Sequence, residues 1–288
     1  MPQPAFAVFM RTGIQCKGNA GMMRIVILAP IHNSLYSRLV TCLLSQEKDI
    51  HIEAVVVRSI WNLSRLRSEL HRDGSRLLKK ISRKMVLGDN RFSKHADSLK
   101  DLQSRVNLPG RSLDDIARIL SIRMAKFNDF NSPDCIHLLK QLSPDLILFT
   151  GGGLLREEII NIPSIGILNC HSGILPNYRG MDVVEWTAGE ENIQPIGIGA
   201  SLHLMDKGVD TGPILISQRL DLKPDDTFES IRERIDSLLV SLMVKGVCGL
   251  RDGAVQPQPQ LLDHGRQYFI LHPRLRSCAE SRLKAQLP

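Results

Sequence analysis

The first strongly patterned stretch is a short apolar run, Arg24 to Ala29 (RIVILA), closed by Pro30. A run apolar at nearly every position suits a strand covered on both faces of a parallel sheet. Leu35 to Leu44 then repeats apolar residues at helical spacing, and Ile52 to Val57 (IEAVVV) is a second buried strand. Strand, helix, strand in that order predicts a parallel α/β sheet. Further on, Asn131-Ser132-Pro133-Asp134 marks a helix start, with Ser132 as cap and Pro133 in first position, and the helix runs to about Leu142. Pro144 to Thr150 is another central strand. Gly151, Gly152 and Gly153 follow its C-terminal end, where open parallel sheets place their ligands. Glycines there let a backbone approach a ligand closely; a tight turn alone explains one glycine better than three. The GxGxxG spacing of a dinucleotide site is absent.

Between these elements the pattern weakens. SRLRSELHRDGSRLLKKISRKM carries Leu66, Leu70, Leu77, Leu78 and Ile81 at helical spacing, interrupted at Gly74. Residues 88–112 are polar and irregular and read as a loop or insertion, and Leu113 to Ile122 as a further helix. The first 22 residues have no period and read as a disordered extension ahead of a domain that starts at Met23. No basic segment precedes their apolar patch, so they make a poor secretory signal.

Composition narrows the class. The chain is 43% hydrophobic and 23% charged, ordinary for a globular protein. No stretch approaches eighteen uninterrupted apolar residues, which argues against a membrane span. The six cysteines form no CxxC pair, which argues against a disulfide framework and a structural zinc site and fits a reducing, cytoplasmic setting. Residues 61–100 hold eleven Lys and Arg against four Asp and Glu, an excess equal to the whole chain's +7. Such a segment serves either as a solvated face or as a patch that attracts an anionic acceptor or a polyglutamate tail. No aromatic platform lies among its basic residues, which argues against a nucleic-acid module.

The chemistry concentrates in Gly166 to Gly180, GILNCHSGILPNYRG. Asn169 and His171 end an apolar strand one residue apart, so both side chains point the same way. A lone core histidine is the plainer reading, but the amide, Pro176 and the Arg179-Gly180 pair crowd the same stretch. Gly197 to Pro213, GIGASLHLMDKGVDTGP, reads as an alternating strand and then a glycine-rich loop carrying Asp206 and Asp210.

The two stretches together resemble the signatures of the folate-dependent formyltransferases. That family includes glycinamide ribonucleotide formyltransferase, the catalytic domain of methionyl-tRNA formyltransferase and the sugar N-formyltransferases. Asn169, His171, Leu175, Pro176, Tyr178, Arg179 and Gly180 match the first signature, and Asp210, Thr211, Gly212 and Pro213 the second. The resemblance covers roughly residues 23–250 and implies a three-layer α/β fold with a mostly parallel twisted sheet and helices on both faces. Residues 251–288 are a short C-terminal extension, in which Gly265 to Phe269 resembles the tail of carbohydrate-locus relatives. It implies N10-formyltetrahydrofolate as co-substrate and no metal. Asn169 and His171 are then expected to stabilise charge on the formyl oxygen, and Asp210 to orient His171 and relay the amine's proton. Gly152, Gly153, Leu154, Leu155 and Arg156 are expected along the pterin edge, with Met205, Asp206, Gly208 and Val209 closing the other side.

Two departures bear on the acceptor. Ser172-Gly173 replaces the family's common Pro-Ser, and Pro30-Ile31-His32-Asn33-Ser34 replaces the acceptor-phosphate loop of the purine enzymes. The tail is too short for the extra β-barrel expected of a tRNA-acting enzyme. A small, anionic, amine-bearing metabolite such as an amino sugar nucleotide is therefore expected first, glycinamide ribonucleotide second and initiator tRNA third. An inactive folate-binding protein is the reading from another class, and the intact Asn169, His171 and Asp210 argue against it. The resemblance leaves a homodimer open.

Overall fold

A computed structural model describes residues 21–59, 97–151 and 153–288. The N-terminal extension, most of the basic segment with Arg76, Lys79, Lys80, Arg83 and Lys84, and Gly152 lie outside the described residues.

The apolar runs form the centre of a seven-stranded sheet. Its strands are β1 (Met23–Ala29), β2 (Ile50–Arg58), β3 (Arg123–Phe127), β4 (Leu146–Phe149), β5 (Gly166–His171), β7 (Gly199–Leu204) and β8 (Ile214–Arg219), in the order β3-β2-β1-β4-β5-β7-β8. The strands from β3 to β5 run parallel; β7 pairs antiparallel with β5, and β8 antiparallel with β7. Two-residue alternation splits β1 between two cores. Ile25 and Ile27 face one helical layer and Val26 and Leu28 the other, all four fully buried. Such side chains contribute about 1.5–3 kcal/mol each relative to exposure.

The first layer holds α1 (Leu35–Leu44) and the long α7 (Phe228–Arg251), joined by α2 (Leu99–Arg105) and α3 (Leu113–Ile119). The opposite layer holds α4 (Pro133–Leu142) and the short α5 (Glu157–Ile160). The fold is thus the three-layer, mostly parallel α/β arrangement expected. Helix α4 begins as its sequence dictates, with the Ser132 hydroxyl accepting from Cys135 N–H and Pro133 in the first turn. One expectation is corrected: Leu99–Arg105, inside the stretch read as a loop, is helical, because Ser98 caps its first turn and Leu99 buries against the core.

A third packing unit carries the C-terminal residues. Helices α6 (Val183–Gly189) and α8 (Pro273–Gln286) pack together with the start of α7. Beside them β6 (Tyr178–Gly180) and β9 (Arg266–Tyr268) form a two-stranded parallel ribbon. Among the described residues no helix is long and apolar enough to cross a membrane.

Candidate active site

The parallel register places Asn169 beside Phe149, at the C-terminal edge of the sheet. At the neighbouring edge Thr150 holds α1, its hydroxyl bonded to Leu28 O and to Ser37 Oγ, so the loops after β1 and β4 are tied together. On β5, Leu168 and Cys170 face the α1/α7 layer, whereas Ile167 faces the other. Asn169 and His171 share the parity of Ile167, as a strand requires.

Asp210 reaches this edge from the loop between β7 and β8. Its Oδ2 lies 3.3 Å from His171 Nδ1 and accepts the Gly180 N–H at 3.0 Å. The opposite ring nitrogen of His171, Nε2, is 2.7 Å from the carbonyl of Tyr178. A carbonyl can only accept, so Nε2 carries the hydrogen and the neutral ring presents a lone pair on Nδ1 to the carboxylate. The Nε2–H of His171 is thus committed to Tyr178. Burial pushes the His171 imidazole below its ordinary value, against the opposing pull of the Asp210 charge and the Tyr178 carbonyl; nearby His203 adds to the lowering. Burial also raises Asp210, but its contacts with His203 and His171 and the Gly180 amide outweigh it and hold the carboxyl below the usual range. The resting pair is therefore a carboxylate beside a neutral imidazole, a ready acceptor for one proton.

Sequence reasoning missed His203. It sits on β7 directly across from Asn169 in the antiparallel register and is buried. Its Nδ1–H donates to Leu204 O at 2.8 Å, so Nε2 is free to accept Asn169 Nδ2–H at 3.1 Å; it also lies 3.4 Å from Asp210 Oδ1. Asp210 is thus flanked by two imidazoles, one of which fixes the amide of Asn169. The signal was the alternating GASLHL strand, but only the register reveals its partner.

The loops expected to hold the pterin come together less uniformly. Lys207 Nζ reaches Glu157 Oε1 at 2.6 Å, which links the 205–209 segment to α5. Gly153 is in the left-handed region at φ 109°, and Leu154 stands 83% exposed. Leu155, by contrast, packs against the second core, as does Met205, whose N–H is spent on Ile167 O. Asn131 takes Leu154 O at 2.9 Å and Arg156 N–H at 2.7 Å, so these two backbone groups already have partners. Asp206 is turned into its own loop, accepting from Gly208 N–H and from Thr211 Oγ1 at 2.6 Å. Val209 is exposed. Gly153, Leu154 and Val209 therefore stand exposed, whereas Asp206 and the backbone N–H of Arg156 are engaged within the loops. Among the described residues no group of His, Cys, Asp and Glu is placed to hold a metal ion. A surface cavity of about 350 Å³ lined by the Tyr178 side chain, Glu190, Arg266 and Tyr268 contains none of Asn169, His171 and Asp210.

Residues 23–247 match the family model described as formyl transferase. A methionyl-tRNA formyltransferase from Pelobacter propionicus is 32% identical over 126 residues, 43% of this chain and 39% of that protein. One from Thermodesulfovibrio yellowstonii is 28% identical over 156 residues, 54% of this chain and 49% of that protein. The matched region thus spans half or less of these relatives' own length. Among solved structures, a sugar N-formyltransferase from Shewanella sp FDAARGOS_354 aligns with a TM-score of 0.54 at 14% identity, over 91% of this chain and 88% of that one. A glycinamide ribonucleotide transformylase from Symbiobacterium toebii aligns at 0.52 and 17% identity, over 83% and 96%. These structural likenesses establish the shared fold.

Proposed function

The chain belongs to the formyl transferase family, and we propose that it moves a formyl group from N10-formyltetrahydrofolate to the amine of a small, anionic metabolite such as an amino sugar nucleotide. The observation that carries this reading is the convergence of Asn169, His171 and Asp210 at one strand edge, with Asp210 Oδ2 3.3 Å from His171 Nδ1.

The folate supplies the formyl carbon, on whose oxygen negative charge grows as an amine attacks. Asn169 has two N–H bonds on Nδ2; His203 holds one, which leaves the other, already oriented, for that oxygen. The amine must shed a proton as it bonds to carbon. Asp210 receives it and shares it with the Nδ1 lone pair of His171, which becomes an imidazolium held between the carboxylate and the Tyr178 carbonyl; as the bond from the formyl carbon to N10 breaks, the pair returns that proton to N10 and tetrahydrofolate leaves. Forming that ion pair inside a buried site stabilises the developing charge without solvent reorganisation. Gly153 and the exposed faces of Leu154 and Val209 form the apolar seat for the pterin.

Two features favour a small acceptor. The chain has Pro30-Ile31-His32-Asn33-Ser34 where the purine enzymes have their phosphate loop, and residues after 251 fold back onto the catalytic unit as β9 and α8. The sequence similarity to methionyl-tRNA formyltransferases supports a second reading, with a charged methionyl-tRNA as acceptor. The deciding experiment is a screen of amino sugar nucleotides, glycinamide ribonucleotide and methionyl-tRNA with N10-formyltetrahydrofolate, read by tetrahydrofolate release and product mass. The expected result is turnover with an amino sugar nucleotide that Asp210→Asn abolishes. Turnover equal in wild type and Asp210→Asn, or none with any of these amines, overturns the reading.

A further inference from the structure

We propose that Gln260 is a positioning residue for Asp210: its side-chain amide fastens the backbone turn that aims the carboxylate at His171. The inference rests on the catalytic reading of Asp210 given above and concerns a segment beyond residues 23–247, which match the family.

Asp210 has a positive φ of 53°, in the left-handed region that side chains other than glycine rarely adopt. Asp tolerates that region better than most residues, and its neighbours confine it there. From within the loop, Gly212 is confined by the Leu204 carbonyl and the Asp206 amide, which leave no room for a Cβ. From outside, Gln260 Nε2 donates to the carbonyl of Asp210 at 3.0 Å and to the carbonyl of Gly212 at 2.5 Å. The two N–H bonds of one amide thus match the two carbonyls that bracket the turn. Gln260 Oε1 is buried and has no hydrogen-bond partner among the described residues. Flipping the amide would set that oxygen against two carbonyl oxygens, so the donors fix its orientation.

The backbone around Gln260 is itself anchored. Gln258 and Ile214 exchange both backbone hydrogen bonds, each at 2.8 Å, at the start of β8. Farther along the same tail, β9 pairs with β6, and β6 carries both the Gly180 N–H on Asp210 Oδ2 and the Tyr178 carbonyl on His171. The tail therefore grips the His171–Asp210 pair from two sides: Gln260 on the backbone of Asp210, and β9 on the strand that supplies the pair's other hydrogen bonds. Packing alone would be met by any side chain of this size; two donors on two carbonyls require an amide or an ammonium.

The test follows the His171 ring by NMR on the full chain with ¹⁵N-labelled histidine, titrated across the neutral and acid range. The groups facing that ring are Asp210, His203 and the Tyr178 carbonyl. Only the first two can change charge, and the Asp210 charge raises the midpoint. Gln260→Met keeps the length and removes both donors. The expected result is a His171 midpoint lower by about one pH unit, a tenfold loss of proton affinity. Gln258→Ala, whose side chain makes its hydrogen bond to Gln256 O among the described residues, leaves the midpoint unchanged. A wild-type midpoint in Gln260→Met overturns the proposal. If that variant does not fold, Gln260→Asn, one methylene short of the carbonyls, takes its place; failure of both to fold makes Gln260 a folding residue and also overturns it. Asp210→Asn in the same titration separates the two levels. If it leaves the midpoint unmoved, the pairing of His171 with Asp210 is wrong; if it lowers the midpoint while Gln260→Met does not, only the role of Gln260 falls.

Discussion

Asn169 Nδ2 lies 3.1 Å from His203 Nε2, and the two residues are direct partners across the β5–β7 pair. The contact fixes which way the Asn169 amide faces, because His203 Nδ1–H is committed to Leu204 O and leaves only a lone pair on Nε2. His203→Leu removes that acceptor while keeping a side chain suited to the buried site. The amide then loses its preset orientation, and a neutral hydrogen bond of this kind is worth about 1 kcal/mol. Formyl transfer is expected to fall roughly 5- to 10-fold in kcat, with KM for the folate moving less. A kcat equal to wild type would show that Asn169 does not depend on His203.

A companion prediction concerns His171 itself. His171→Asn removes the Nδ1 lone pair that faces Asp210, and loss of a charge-stabilising group in such a site costs about 3–4 kcal/mol. The rate of formyl transfer is expected to drop by at least about 10²-fold with the circular dichroism spectrum intact. The same pair sets the acid limb of the rate profile. Proton acceptance requires neutral His171, and burial holds the native ring below its ordinary value. The acid limb of kcat/KM should therefore lie below about pH 6.5, lower than for an exposed histidine. An acid limb at or above that value argues that another group is the acceptor.

The parts of this arrangement legible in the sequence are those written in local pattern. RIVILA and Ser132-Pro133 give β1 and the capped start of α4, because a fully buried strand and an N-cap have compact signatures. Strand β3 has none: RMAKF alternates charge with half-buried apolar residues at the sheet edge, so no apolar run announces it. The reversal of β7 is equally silent, since alternation reads the same in either direction, and with it went the pairing of His203 with Asn169. The ribbon of β6 and β9 joins two three-residue strands 88 positions apart, with Tyr178 opposite Arg266. Neither strand is long enough to carry a period. The motif residues Asn169, His171 and Asp210 do come together; which donors and acceptors they spend on one another depended on register and on a loop's backbone.

Gly173 shows how a departure from the common family pattern is built into this geometry. A Cβ placed there would stand 2.7 Å from His171 Nε2 and 2.9 Å from the Tyr178 carbonyl, the two atoms that bond to each other. Gly173→Ala must push one of them aside. Losing the carbonyl removes an interaction that raises the His171 pKa, so the midpoint should fall further below that of wild type. Histidine NMR checks this, and formyl transfer is expected to drop at least several-fold in parallel. An unchanged midpoint would mean that the ring and β6 tolerate the extra methyl by moving together.

The last prediction concerns a carboxyl the chemistry does not use. Asp236 sits on α7, and burial raises its pKa to about 6, with Glu233 adding to the rise and Arg232 opposing it. The native protein therefore holds a proton on Asp236 at pH values where the unfolded chain, near pKa 3.9, has released it. Between those values the folded state binds more protons, so stability falls as pH rises. Below about pH 3.9 both states are protonated and the contribution is fully present; above about pH 6 it has been lost, and the native state carries a poorly solvated charge. Asp236→Asn supplies a neutral side chain of nearly the same shape. It is expected to raise Tm at about pH 8 by a few degrees and to leave it nearly unchanged at about pH 4, where wild-type Asp236 is itself largely neutral. Arg232 qualifies the size of the gain, because its guanidinium is also held by Glu185, with Nη2 2.5 Å from Oε2, and so does not depend on Asp236 alone. Thermal melts of the two proteins at both pH values decide the matter. A variant less stable than wild type at about pH 8 would show that ionised Asp236 gains more from Arg232 than it loses to burial.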